Sequence, residues 1–264
     1  MNLKKDIDTK IIMYDGNIKC IKDIKINDYI MGDDSTPRKV LSISKKNDIM
    51  YKIINKLGES YKVDSNHILS LKYTIFKKKD TSFEFFIDTF LNKKYKYNKN
   101  QQEYTLNISV KQYLKCCYLF KQNLYGYKMP IEFKYTEINK DPYEFGKTYT
   151  KDSNEIINKN YVCNTIEIRQ LLLAGILDSI SYTFINYKCI LNVKPIFGNS
   201  IVFLCRSLGI EAYYLINKEN VILYNSDLLY EIKIIQLPKQ DYYDFKLNNN
   251  NNNNKILLQD FTVF

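Results

Sequence analysis

The stretch that decides the fold runs from Asp8 to Leu71. It reads DTKIIMYDGNIKCIKDIKINDYIMGDDSTPRKVLSI over residues 8–43 and YKVDSNHILSL over residues 61–71. Short apolar runs alternate with turn residues, the pattern of a β-rich unit with closely spaced strands. Asp15-Gly16 separates Lys10–Tyr14 from Asn17–Ile21 and predicts a hairpin, because glycine tolerates the positive φ that a tight turn needs. Gly32-Asp33-Asp34 predicts a second turn. Val40–Ile43, Met50–Ile54 and Ser60–Val63 are further strand candidates, and the only histidine, His67, follows the last of them.

The other end of the chain, Asp241–Phe264, has the same character. Strands are expected at Tyr242–Leu247 and Ile256–Val263, on either side of seven consecutive asparagines, Asn248–Asn254, which cannot pack a core and are read as a loop. Two β-type ends around a different middle imply an insertion. Within that middle, residues 72–140 are polar loops around short apolar pieces, with helical spacing in Val110–Phe120 and an extended piece at Tyr125–Tyr135. Residues 163–216 read as α/β. Asn164 with Glu167 has the spacing of a capping box at the start of one helix. A second helix fits Ser200–Leu208 and is stopped by Gly209. A hairpin is expected from Glu211–Ile216 and Val221–Tyr224.

Composition narrows the class. An apolar content of 45% over 264 residues supports a buried core. No apolar run is long enough to span a membrane, and MNLKKDIDTK has no apolar centre of a signal peptide, so an intracellular protein, cytoplasmic or nuclear, is expected. The net charge of +10 comes almost wholly from lysine, with Arg38, Arg169 and Arg206 the only arginines. Such an excess suits a polyanion such as double-stranded DNA. It is equally the product of a coding bias that enriches Lys, Asn, Ile and Tyr together. Six cysteines without a CxxC pair, and one histidine, do not make a Cys/His zinc site, so buried reduced thiols are expected.

With these residues in hand, a resemblance can be stated. DTKIIMYDGNIKCIKDIKINDYIMGDDSTPRKVLSI and DSNHILSLK resemble the N-terminal splicing blocks of inteins, and DYYDFKL with KILLQDFTVF resembles the C-terminal block. The resemblance implies a mixed fold. An all-β Hint (Hedgehog/intein) domain is formed by residues 1–75 and 226–264, and residues 76–225 are the insertion. Inteins excise themselves by acyl transfer, which needs a first-residue Cys or Ser, a histidine that protonates the leaving nitrogen, and a terminal His-Asn pair. The resemblance puts His67 at the histidine position, with Asp64 where Thr or Asn is usual, and Asp244 at the acidic position of the C-terminal block. It puts Lys4 at the nucleophile position, and nothing in Met1–Thr9 is Cys or Ser. The terminal His-Asn is expected to begin just after Phe264.

LLLAGILDSIS, Leu171–Ser181, resembles the LAGLIDADG helix of homing endonucleases, and INKDPYEFG resembles the lead-in to a first such motif. In that family two helices pack through small residues, here Ala174 and Gly175. An acid at the eighth motif position of each helix holds a divalent metal such as Mg for phosphodiester cleavage. Here Ile180 holds that position, Lys151 holds its counterpart, and Asp178 matches a structural acid at the helix end. The expectation is therefore an intein-like element with a LAGLIDADG-like nuclease remnant, inactive in splicing and in DNA cleavage. Its implied partners are a host protein and double-stranded DNA, without a cofactor or a membrane, and it is expected to be a monomer. Two alternatives stay open: a DNA-binding protein that retains affinity without cleavage, and an intein whose catalytic termini lie outside this sequence.

Overall fold

The computed structural model describes residues 2–5, 9–55, 60–74, 103–152, 156–185, 188–224, 228–248 and 254–264. Asp8, at the start of the opening stretch, and most of the asparagine run lie outside them. Strand β1 (Asn2–Lys5) is followed by a small hairpin, β2 (Lys10–Ile12) with β3 (Ile18–Cys20). Its turn depends on Gly16 at φ +82 and on the Asp15 carboxylate, which accepts from the Asn17 amide at 3.0 Å. β4 (Tyr29–Met31) turns into β5 (Pro37–Asn55) through residues 32–36. In that turn the Asp34 carboxylate accepts from the Thr36 amide at 3.1 Å and from the Arg38 guanidinium at 2.8 Å.

The two strands expected at 40–43 and 50–54 are in fact one strand of 19 residues, β5. The segment between them is polar on both faces, so periodicity alone broke it. Pairing holds it together: β14 (Leu229–Leu247) runs antiparallel to it from Ile232 opposite Asn55 to Leu247 opposite Val40. One register shift in β14 falls between Gln236 and Lys239 and contains Pro238, a residue with no N–H for the ladder and therefore suited to a bulge. β6 (Ser60–Asp64), β7 (Ile68–Thr74), β8 (Glu103–Ser109) and β9 (Leu124–Tyr127) complete a sheet ordered β4-β5-β14-β9-β7-β8, with β1 on β14 and β6 on β5. β8 and β9 belong to the stretch read as insertion, so the division at residue 75 does not coincide with an edge of this sheet.

Helical spacing at 110–120 resolves into α1 (Val110–Lys115) and α2 (Tyr118–Lys121), broken at Cys116, whose ψ of 144 is extended. Ser109 caps α1 in a capping box with Gln112. The extended piece expected at 125–135 is regular only as far as Tyr127; Lys128 onward is an irregular strap.

The α/β unit follows. It comprises α3 (Pro142–Asp152), α4 (Lys159–Val162), α5 (Ile166–Ser179), α6 (Pro195–Ser207), and a four-stranded antiparallel sheet ordered β10-β11-β13-β12. Its strands are β10 (Tyr182–Ile185), β11 (Lys188–Asn192), β12 (Glu211–Leu215) and β13 (Asn220–Tyr224). The capping box predicted on Asn164 does not form. Thr165 is the N-cap of α5, and the buried Asn164 side chain instead accepts from the Thr136 amide at 3.2 Å and donates to the Thr136 carbonyl at 2.7 Å. α6 starts at Pro195, five residues before the expected Ser200, because proline is well suited to a first helical turn. Gly209, at φ +83, ends the turn that follows.

α3 and α5 cross at glycines. A Cβ on Gly175 would lie 2.0 Å from the Tyr143 carbonyl oxygen, and one on Gly146 would lie 2.4 Å from the Leu172 carbonyl oxygen. Of the two small residues singled out in the sequence, only Gly175 is at the crossing. Ala174 faces solvent.

The β unit buries Ile11, Ile30, Val40, Val63, Leu69, Phe245, Leu258 and their neighbours; the α/β unit buries Leu172, Ile176, Leu191, Phe197 and Ile201 with theirs. A third cluster joins the two units. Ile12, Met31, Leu257, Phe261 and Val263 of the β unit meet Tyr127 of β9 and Ile131 and Phe133 of the strap, with Phe203 of α6 packed on them. Among the described residues no helix is long and apolar enough to cross a membrane.

Candidate functional site

The two chain ends are interleaved before any site residue is considered. The Ile12 amide donates to the Leu257 carbonyl at 3.1 Å, the Leu257 amide to the Met31 carbonyl at 3.2 Å, and the Gln259 amide to the Lys10 carbonyl at 3.0 Å. Ile11 bridges Leu258 and Gly32 bridges Ile256, and the side chains of Ile11, Ile256 and Leu258 are buried together.

His67 sits in the turn between β6 and β7. Its amide donates to the Asp64 carbonyl at 3.3 Å, and its carbonyl accepts from the Val110 amide at 3.0 Å, at the start of α1. Its ring is buried and tilted against Phe264, with centroids 4.3 Å apart. Phe264 also meets Tyr61 edge-on at 5.0 Å, and its backbone exchanges both hydrogen bonds with Ile256, at 2.9 and 3.0 Å. Burial pushes the Tyr61 phenol well above its ordinary value, and the Asp260 charge pushes in the same direction. A cavity of about 160 Å³ opens beside it, lined by Thr9, Lys10, Tyr61, Tyr230, Asp260 and Thr262.

Asp244 lies in β14, buried, and its carboxylate accepts from the Lys46 ammonium. On one side its register partner is Ser44 of β5; on the other it is Lys4 of β1. The position that the resemblance assigned to a nucleophile and the one that it assigned to an acid are thus direct cross-strand neighbours, although 240 residues separate them in the chain. Asp64 is fully buried at the end of β6, opposite Met50.

Asp178 is not near this group. It lies in the last turn of α5, solvent-exposed, and accepts from the Tyr143 hydroxyl at 2.7 Å. That bond ties α5 to the start of α3 and raises the Tyr143 phenol above its usual value. Ile180 is the C-cap of α5, already extended. Among the described residues no cluster of three or more His, Cys, Asp or Glu side chains is arranged to hold a metal ion.

Among the described residues three cations are buried, Arg38, Lys128 and Arg169, and none carries an assignment from the sequence. Lys128 lies between two carboxylates, 2.8 Å from Glu211 Oε1 and 3.4 Å from Asp260 Oδ2, with all three side chains at most 6% exposed. Nothing distinguishes this lysine from the many others in the sequence. Arg169 is completely buried, and here a signal existed: in a lysine-rich chain with three arginines, two of them, Arg38 and Arg169, are buried. Arginine's planar fork serves several fixed acceptors at once, which lysine cannot do.

A protein-family model described as Hom_end-associated Hint matches residues 6–264. Among solved structures, the gp41-1 intein aligns with 100% of this chain and 98% of its own at 9% identity and a TM-score of 0.35. The Msm DnaB1 intein splicing domain bound with zinc aligns with 25% of this chain and 53% of its own at 19% identity and a TM-score of 0.23. Scores this low add nothing to the family match.

Proposed function

The chain belongs to the Hom_end-associated Hint family, and on that premise we propose that it is a protein-splicing element whose upstream junction chemistry has decayed and whose α/β unit is a nuclease remnant. The observation that carries this proposal is the meeting of the two ends of the sequence. Phe264 rests on His67, and Lys4 is paired with Asp244. In this assignment His67 protonates the leaving nitrogen of the upstream peptide bond, and Asp244 is the acid beside that junction.

What is missing is the nucleophile. Attack by a thiol or hydroxyl converts an amide into a more labile thioester or ester. A lysine at residue 4 carries an ammonium at neutral pH, and attack by its free amine would only exchange one amide for another. The remnant assignment rests on the glycine crossing of α3 and α5, which suits a paired-helix nuclease core. Ile180 and Lys151 stand where such a core needs metal-binding carboxylates, and isoleucine offers no oxygen to a hard cation.

A reporter fusion tests the loss of splicing. With this chain and an appended His-Asn-Cys between two reporter proteins, no ligated reporter forms on a denaturing gel. A ligated reporter would overturn the proposal.

A further inference from the structure

We propose that the α/β unit acts as a brace for the terminal hairpin, residues 256–264, with Lys128 and Glu211 as positioning residues for the downstream splice junction. This inference rests on the protein-splicing reading for its functional consequence, but its structural part stands alone. The strap, residues 128–133, and Tyr127 at the end of β9 just before it are bonded along both sides. Toward the hairpin, the Val263 amide donates to the Tyr127 carbonyl at 3.0 Å and the Met129 amide to the Phe261 carbonyl at 3.1 Å. Toward the α/β unit, the Ile131 amide donates to the Ser207 carbonyl at 3.1 Å, and the Glu132 carboxylate caps α5 by accepting from the Ile166 amide at 3.0 Å.

The buried ions join the same three parts. Lys128 belongs to the strap, Glu211 to β12 and Asp260 to the hairpin. Asp260 also sets the hairpin turn, accepting from the Thr262 amide at 3.2 Å and the Thr262 hydroxyl at 2.9 Å. The next residue, Phe261, has φ +66, a left-handed conformation that is unfavourable for a bulky side chain and persists only where its surroundings enforce it. Part of that enforcement comes from the α/β unit: the Phe261 ring is fully buried and meets Phe203 of α6 edge-on at 5.3 Å. A unit that no longer cuts DNA therefore still has a task, which is to hold the hairpin that ends against His67.

Three charges in a desolvated cluster make the brace sensitive to a single neutralisation. Losing one partner of a buried charge cluster leaves the rest poorly compensated. The test is amide hydrogen exchange in Glu211→Gln, which keeps the side chain's shape, with Val221→Ala as a control that weakens the same sheet without touching the cluster. Exchange at Leu258, Val263 and Phe264 accelerates at least tenfold in Glu211→Gln, while the amides paired between β5 and β14 keep their rates. Acceleration confined to β12 and β13, or equal acceleration of the hairpin by Val221→Ala, would overturn the proposal. In a chain made competent for splicing, Glu211→Gln slows downstream cleavage about tenfold and leaves upstream thioester formation unchanged; an equal loss at both junctions would also contradict it. Exchange needs no splicing, so failure of the splicing reading and failure of the brace are separately visible.

Discussion

Replacing Arg169 with leucine destabilises the chain by about 3–5 kcal/mol, as read from the urea midpoint at unchanged m-value. The guanidinium donates from Nε to the Asn164 carbonyl at 2.8 Å, from Nη1 to the Ser207 carbonyl at 2.9 Å and hydroxyl at 2.6 Å, and from Nη2 to the Ile131 carbonyl. It also lies 5.2 Å from the centre of the Phe133 ring. Burial pulls its pKa down to about 10, with the Glu132 charge working the other way, so it remains cationic at neutral pH. Leucine fills much of the space but donates nothing. The Ser207 carbonyl keeps the Ile131 amide at 3.1 Å and the Ser207 hydroxyl keeps donating to the Leu204 carbonyl at 2.7 Å, so the loss falls on the Asn164 and Ile131 carbonyls, at about 1–3 kcal/mol for each acceptor left unpartnered in the interior. Arg169→Lys loses less, because one or two donors survive, but a point charge cannot serve acceptors on three segments together. A loss below about 1 kcal/mol for leucine would mean that Arg169 is not the tie between α5, α6 and the strap.

The second large effect is expected at Gly175. In a typical helix interior alanine is better than glycine by about 1 kcal/mol, so Gly175→Ala would be stabilising if only propensity mattered. The crossing reverses the sign. The new Cβ would be 2.0 Å from the Tyr143 carbonyl oxygen and 2.9 Å from the Lys147 nitrogen, both backbone atoms that no rotamer change can move. α3 and α5 must separate, which opens gaps along the whole contact, and a net loss of about 3 kcal/mol is expected from such overpacking. Gly175→Val abolishes the near-UV circular dichroism of the α/β unit. Gly146→Ala acts in the same direction from the other helix, against the Leu172 carbonyl at 2.4 Å. A neutral or stabilising Gly175→Ala would show that the two helices do not approach this closely.

Local features were legible in the sequence. Asp15-Gly16, Gly209 and the hairpin 211–224 depend on neighbouring residues alone, and positive φ at Gly16 and Gly209 leaves a plain mark. Features that depend on distant partners were not. The middle of β5 reads as a loop because both faces are polar, and it is a strand only because β14 pairs with it. Asn164 looks like a cap, but its amide is more fully satisfied by Thr136 than by the start of α5. The Glu211–Lys128–Asp260 cluster spans three segments with no shared motif. The candidate site was legible to a different depth. A resemblance could select His67 and Asp244, but only the register could pair Asp244 with Lys4, and only the folded hairpin could seat Phe264 on His67. Tyr61 and its cavity carry no sequence signal, since Tyr61 is one of 24 tyrosines.

In the proposed reading the two ends form a splicing site that lacks its nucleophile. Supplying one tests it: Lys4→Cys, with His-Asn-Cys appended after Phe264 so that the added cysteine accepts the acyl group, between two reporter proteins. Thiol-dependent cleavage at residue 4 and a ligated reporter on a denaturing gel are expected, both abolished by His67→Ala in the same chain. Cleavage at neither junction in a chain that remains folded by circular dichroism, or cleavage that survives His67→Ala undiminished, would contradict it.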